Sequence, residues 1–431
     1  MLSQGSGSIT RCPAFKWRFA LCASLLLSVV LNSEAASLSV EFELVARSGV
    51  TTVPAGIDTF SGFGNSPAID SQGNVVFTGG GGGLAGIYTA IGECCQVVAD
   101  TTMMAPEGGG ATFFDFSGAQ RPDIDQGRVA FEAWDSNYVT NYYSNAGQPT
   151  SSTLALVASL DDTPWVLGGD PWVDGDYVAL YGQQSSYEYE ILEWHGPSRS
   201  QAPLFAGDDY SVAYESQAAR HDGASILSRF SSSSYEMSII LPDGQSEILA
   251  ISGVTPMPGL PGFVFDTFYS FPVIDRCGQD AAFLAYSNQV QGLFKRADSG
   301  ILEGVANTTV EMPSSGGDVF RIFNQSALSL ANGQVAFQAK GQYFREGIYT
   351  DVGGELSVVL DNQNFDSIEL DGQNERVLSF AIGPKAMAHT PNGFQLVFYA
   401  SLASGGTAII KATLDGASAS SDIIFSHSFE D

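Results

Sequence analysis

Apolar positions along this chain fall in runs of about five residues, alternating or wholly apolar, and each run is cut off by Gly, Asn, Asp or Pro. That rhythm predicts short β-strands joined by tight turns. Helical stretches rich in Lys, Glu and Leu are missing. The runs also recur as a phrase. PAIDSQGNVVF at 67 returns as PDIDQGRVAF at 122, PWVDGDYVAL at 171, ARHDGASILS at 219 and PVIDRCGQDAAF at 272. Two worn copies follow, ALSLANGQVAF at 327 and AHTPNGFQLVF at 388. The repeated acid is Asp70, Asp125, Asp174, Asp222 and Asp275, with Leu330 and Thr390 near the equivalent place in the worn copies.

The order within a unit repeats as well. A pair of Phe residues stands upstream of the phrase: Phe60 and Phe63, Phe113 and Phe116, Phe265 and Phe268, Phe320 and Phe323. The phrase supplies two apolar runs split by an Asp/Gly turn. A third run follows, as in GIYTA at 86, GLFKR at 292 and GIYTD at 347. A fourth comes after a short turn, as in QVVAD at 96, LEGVAN at 302 and LSVVLD at 356. Four strands in a unit of roughly fifty residues is the blade of a β-propeller. Seven anchors predict an all-β, seven-bladed propeller. The segment FELVARSGVTTVPAGIDTFSGF at 42–63 reads as a fourth strand plus loop, and TAIIKATL at 407–414 as a third strand lacking its fourth. The N-terminal strand is therefore expected to close the last blade, which removes two open edges.

Local roles follow from residue type. The Asp of each anchor is expected to bond its own turn, and the Gly to take a positive φ. Val75, Val76 and Phe77 are expected to pack between blades, and the Phe pairs to wedge beneath the loops between blades. Gly79 to Gly83 reads as a mobile hairpin tip.

Composition narrows the partners. Hydrophobic residues make up 44% of 431, enough for a sizeable core, and only 15% are charged. A formal net charge of −29 repels phosphate backbones and excludes nucleic acid as the expected partner. Arg11, Lys16 and Arg18 precede the apolar run Phe19 to Leu31, and Ser33 and Ala35 supply small residues before Ala36. Residues 1–35 read as a signal peptide, so the chain is expected outside the cytoplasm: periplasmic, at the cell surface or extracellular. The propeller then occupies 36–416, and 417–431 is a Ser-rich linker and tail. No later run is long enough to span a bilayer as a helix, and a monomer is expected. Cys94, Cys95 and Cys277 remain after the signal. Adjacent cysteines seldom pair, so buried free thiols are the expectation.

The phrase P-x-I-D-x-x-G-x-V-x-F, followed by G-I-Y and V-V-A-D, resembles the tandem repeats of a family of exported bacterial proteins. These are β-propellers of unknown function in the choice-of-anchor or uncharacterised-domain class. The resemblance runs over essentially 40–414 and implies export and a propeller; it brings no catalytic residues. The tail SASSDIIFSHSFED at 418–431 is similar to short C-terminal tails of the form D-x-I-F-x-x-G-F-E, with Ser428 in place of the Gly. That likeness implies a sorting role, against a plain polar terminus.

Candidate chemistry is sparse. Asp170, Asp174 and Asp176 in DPWVDGD are the candidate ligands for Ca²⁺, although Ca²⁺ needs six to eight oxygens and these are only part of such a set. His195, His221, His389 and His427 are scattered without metal spacing, and no nucleophile elbow, phosphate loop or zincin motif occurs. Trp165, Trp172, Tyr177, Tyr181, Tyr187, Tyr189 and Trp194 crowd the third repeat, either as core or as a sugar-stacking surface. The leading expectation is a non-catalytic binding or scaffold module with a protein or glycan ligand and no cofactor beyond Ca²⁺. The alternative is a carbohydrate-active enzyme using paired carboxylates on the channel face.

Overall fold

In a computed structural model the described residues span 38–416, apart from 55, 57, 117–120, 149–152, 162–164, 185–188, 196–197, 204–210, 213–224, 231–233, 241–244, 270, 276–279, 297–299 and 364–366. The signal segment, the tail, the fourth anchor with Asp222 and His221, Cys277 and His427 lie outside them.

Among the described residues every regular element is a strand and none is a helix. They form seven antiparallel sheets of four or five strands and one two-stranded ribbon. Unit one comprises Gly62–Phe63, Ala68–Ile69, Val75–Gly81, Leu84–Ile91 and Glu93–Asp100. Units two to six occupy 113–159, 165–203, 211–251, 267–307 and 320–361 in the same order. Unit seven runs from 377 to 415, and its outer strand is Ser39–Arg47, paired antiparallel with Thr407–Asp415. The two ends of the described chain thus share one sheet. Inner strands touch along the series from unit four through units seven and one to unit three. Ala68–Ile69 meets Asp123–Asp125, which meets Trp172–Asp174. Val273–Ile274 meets Ser225–Phe230 and Phe320–Ala331, and Phe320–Ala331 meets Met387–Thr390. Met387–Thr390 in turn meets Ala68–Ile69.

Units one, two, five and six are each organised by a cluster of four aromatic rings. In unit one Phe60, Phe63, Phe77 and Tyr88 form one cluster, with ring centroids 4.9–6.1 Å apart. Phe113, Phe116, Phe131 and Tyr143 repeat it in unit two. Phe265, Phe268, Phe283 and Phe294 do so in unit five, and Phe320, Phe323, Phe337 and Tyr349 in unit six. The Phe pairs therefore pack inside their own unit as well as bordering the loops between units. Edge-to-face contacts of this kind add to simple burial. They also explain the G-x-Y and G-x-F spacing. A Cβ on Gly347 would stand 2.6 Å from Tyr349 Oη, and one on Gly292 would stand 2.7 Å from Phe294 Cζ.

Two local expectations are corrected. Gly79 to Gly81 belong to the strand Val75–Gly81 rather than to a mobile tip. The loop at Thr59 and Phe60 lies on that strand so closely that a Cβ on Gly81 would meet the Thr59 carbonyl at 2.2 Å. Cys94 and Cys95 are not buried free thiols; they are half-buried and joined to each other, with a cis peptide bond bringing their Cα atoms to 3.0 Å.

The anchor aspartates do more than make their own turns. Asp70 Oδ1 accepts from the Gln72 and Asn74 N–H groups, both at 2.9 Å, as an Asp-led turn requires. Its other oxygen accepts from Gly127 N–H of unit two at 3.0 Å. Asp125 Oδ2 likewise takes Gly175 N–H of unit three at 2.8 Å, and Asp275 Oδ2 takes Asn332 N–H of unit six. One carboxylate clasps two units. Such charge-assisted bonds are among the stronger ones a protein makes.

Candidate functional site

The first strand of several units is interrupted halfway, so that a short bulge replaces its middle. In unit two the break lies between Phe113–Asp115 and Asp123–Asp125, and in unit three between Trp165–Gly168 and Trp172–Asp174. In unit six the register shifts between Phe323 and Leu328, and in unit seven the break lies between Val377–Ala381 and Met387–Thr390. Bulges re-aim side chains and end ladder pairing, and here they bring chemistry from distant units together.

Arg121 from the bulge of unit two, Phe271 between Thr267–Phe268 and Val273–Ile274 of unit five, and Ile322 to Ser326, Gln338 to Lys340 and Glu346 of unit six line one open cleft of about 510 Å³. Arg121 lies 4.8 Å over the Phe271 ring and donates to Asp170 Oδ2 of unit three at 3.0 Å. Lys340 pairs with Glu346 Oε2 at 3.1 Å. Gln338 Nε2 donates to Glu346 Oε1 at 2.7 Å and to the Phe380 carbonyl of unit seven at 3.2 Å. Asn324 Nδ2 approaches Gln338 Oε1 at 3.4 Å, and Ile322 is 52% exposed. The two cations of the cleft thus have carboxylate partners, and the remaining polar wall is neutral amide and hydroxyl.

A second group adjoins Asp170. Glu132 pairs in register with Tyr142, and the Tyr142 hydroxyl bonds its carboxyl. Burial and the nearby Asp170 carboxylate push the Glu132 carboxyl up to about 7, the Tyr142 bond opposing them. The Tyr142 hydroxyl is itself pushed above its ordinary value, first by burial and then by Glu132 and Asp170.

On the side of the anchor turns, Lys385 from the bulge of unit seven is buried among other units. Its ammonium donates to the Pro171 carbonyl, lies 4.6 Å over the Trp172 ring and stands 3.8 Å from Asp123 Oδ2. Its own carbonyl accepts from Ile69 N–H at 3.0 Å. One residue therefore touches units one, two and three.

Of the three acids put forward for calcium, Asp170 is bound to Arg121, and Asp176 faces Arg128 Nε at 3.5 Å and Gly147 N–H at 3.1 Å. Asp174 sits at the turn opposite Tyr177. Among the described residues no three His, Cys, Asp or Glu side chains gather as metal ligands would. The aromatic crowd of unit three divides: Trp172 and Trp194 are buried, and Tyr177 stacks on exposed His195 at 4.4 Å. Nothing is described of the side chains of Trp165, Tyr181, Tyr187 and Tyr189. Sequence reasoning missed Arg121, Glu132 and Lys385. The signal was available in the repeat columns, where Glu132 follows VAF as Gln338 does and Lys385 interrupts the apolar run AIGPKAM.

Residues 213–423 match a family of unknown function (DUF7453). No curated protein matches the chain. Solved structures with some likeness include puromycin hydrolase, at 14% identity and TM-score 0.43, over 83% of this chain and 52% of that one. An oligogalacturonate lyase in complex with manganese is similar at 10% identity and TM-score 0.42, over 88% and 98%. TolB from Acinetobacter baumannii is similar at 12% identity and TM-score 0.36, over 68% and 61%. The chain spans about half the length of puromycin hydrolase. Likenesses this loose assign no chemistry to the chain.

Proposed function

We propose that the seven sheets are the blades of one propeller, that the bulges surround its central channel, and that the cleft at the channel mouth binds a glycan as a non-catalytic module outside the cytoplasm. The contacts that run from unit four through units five, six, seven, one and two to unit three support the ring. Arg121 of unit two meeting unit five and unit six in one cleft supports a shared centre.

The observation that carries the ligand class is the pairing of charge in the cleft. Arg121 is held by Asp170 and Lys340 by Glu346, so a ligand gains little from bringing a charge. Paired charges, amides and a serine instead offer many donors and acceptors at fixed places, beside the apolar edges of Ile322 and Phe271. That mixture suits a neutral polyhydroxyl ligand with one apolar face. The carboxylate that lines the cleft, Glu346, is already bonded to Lys340 and Gln338, and Glu132 is not among the lining residues.

The test is a glycan array probed with residues 36–431, followed by calorimetry on the best ligand. Arg121→Ala and Asn324→Ala are expected to weaken binding about tenfold each, since each removes hydrogen bonds worth about 1–2 kcal/mol. Absence of any saccharide ligand, or binding indifferent to both substitutions, would remove this reading.

A further inference from the structure

Exposed apolar side chains are unevenly placed. Among the described residues fifteen large ones are exposed, and all but Ile248 and Ile301 lie at one end of their sheets, where the loops between units meet the hairpins. Hydrogen bonds join the two at that end: Ser136 N–H of a hairpin donates to the Thr112 carbonyl at 2.8 Å, and Ser48 N–H of a loop to the Thr407 carbonyl at 2.9 Å. Four of these loops share one design. The N–H of Val50, Met103, Val254 and Val310 each closes a turn on the carbonyl three residues back. A buried plug follows in each, Val53, Ala105, Met257 and Met312, beside a single bridge across the loop. The side chain left outside is nonetheless apolar: Val50, Met104, Val254 or Val310, with Val254 66% exposed. A polar residue would serve such a turn as well. The hairpins of units two and six go further. Tyr138 (φ 64°) and Phe344 (φ 63°) are 69% and 87% exposed in left-handed backbone, which is costly for a bulky side chain and free for glycine.

We propose that this end of the units is a docking face for a basic protein surface whose Lys and Arg are interleaved with apolar side chains. Charge selects that partner. The four loops, 48–60, 101–112, 252–266 and 308–319, contain no Lys, Arg or His, and each exposes a carboxylate: Asp58, Glu107, Asp266 or Glu311. Three of these acids also brace the face. Asp58 Oδ1 accepts from Thr59 N–H at 2.8 Å, Asp266 Oδ2 from Asn288 N–H at 2.8 Å and Glu311 Oε1 from Gly317 N–H at 2.6 Å. Apolar tips beside acids match a partner of apolar tips beside bases. A second copy would set carboxylate against carboxylate, and an anionic lipid surface would repel a chain of net charge −29. The face is independent of the glycan reading; only the placing of the unit ends on one side rests on the ring proposed above.

The test uses residues 36–431 and a fluorescent synthetic peptide of Lys, Leu and Trp, read by anisotropy. One companion peptide has Ser in place of Leu and Trp, and another has Glu in place of Lys. The first peptide is expected to bind at least about tenfold more tightly than either companion. The pair Tyr138→Ser and Phe344→Ser is expected to weaken it about tenfold, as is the pair Val50→Ser and Val254→Ser. Asp58→Asn with Glu107→Gln, which keeps shape and removes charge, should cost about threefold, and less as salt is raised. Every altered side chain is exposed, so no pair should lower the thermal midpoint by more than about 2 °C.

Equal binding of the Lys–Ser companion would reduce the face to bulk charge and overturn the proposal. So would binding indifferent to the apolar substitutions, or no binding of the Lys, Leu and Trp peptide. Two further measurements cover the other occupants. Flotation with phosphatidylcholine vesicles that is lost in Tyr138→Ser with Phe344→Ser would assign the face to lipid. A concentration-dependent dimer in sedimentation that is lost in the same variant would assign it to a second copy. Either result overturns the basic partner. A closed ring seen by electron microscopy, with peptide binding unmoved by any substitution, would leave the ring standing and remove the docking face.

Discussion

The seam between units two and three and the seam between units six and seven use one column of the repeat for different ends. At the second, Gln338 reaches Glu346 and the Phe380 carbonyl, and its amide carries no charge at any ordinary pH. At the first, Glu132 shares its surroundings with Asp170, and burial holds its carboxyl near neutrality. Both seams border the same cleft, one through Arg121 and the other through Gln338 itself. A fold that needs only shape and one donor at this column accepts either residue. What differs is the response to protons, because an amide cannot titrate and a carboxyl beside another carboxylate must.

The largest expected effect comes from removing what ties the first seam on its axial side. Lys385→Met keeps the bulk but loses the Pro171 bond and leaves Asp123 buried beside an apolar group. A loss of about 3–5 kcal/mol is expected, read from chemical denaturation. A loss under about 1 kcal/mol would mean that Lys385 does not hold the units together. The next test converts one seam into the other. Gln338→Glu removes both donated bonds and adds a carboxylate next to Glu346. Stability near pH 8 is expected to fall by about 2–3 kcal/mol, and by less near pH 5, where the new group is protonated. An equal loss at both pH values would assign the cost to shape rather than charge.

Asp125→Ala cuts the clasp from unit two to Gly175 of unit three while leaving Glu132 in place. About 1–3 kcal/mol of stability should be lost, because the Gly175 N–H keeps no replacement for a charged acceptor. If Asp125→Asn recovers most of it, the bond matters more than its charge. The smallest effect is expected in unit one. The Tyr88 hydroxyl is buried without a hydrogen-bond partner, and burial with Asp100 pushes it up to about 12. Unit five carries Phe294 in that place. Tyr88→Phe should therefore be neutral or stabilise by up to about 1 kcal/mol, whereas a loss above that would reveal work done by the hydroxyl.

Much of the architecture was legible because it repeats. Strand runs, turn residues and the recurrent Phe pairs all obey short periods, and short periods are what a sequence displays directly. The pairing of Ser39–Arg47 with Thr407–Asp415 could be read because the chain opens and closes out of phase with its own units. The second oxygen of Asp70 was harder. A turn explains one of its oxygens completely, and nothing in DSQG says that Gly127 of another unit will take the other. The cleft was harder still, since Arg121, Phe271 and Asn324 are separated by some two hundred residues and meet only through the bulges. The acids singled out from spacing, Asp170, Asp174 and Asp176, gave one member of the group that matters, Asp170. Its partners Arg121 and Glu132 are set by the neighbouring unit and carry no local mark.

The most direct measurement is a pair of crystal structures of residues 36–431, at about pH 5.5 and about pH 8.5, compared seam by seam. Gln338 is expected to keep its bonds to Glu346 and the Phe380 carbonyl at both. The Tyr142 and Asp170 side chains around Glu132 are expected to rearrange between the two. Identical surroundings for Glu132 in both structures, or equal movement at the two seams, would contradict the account.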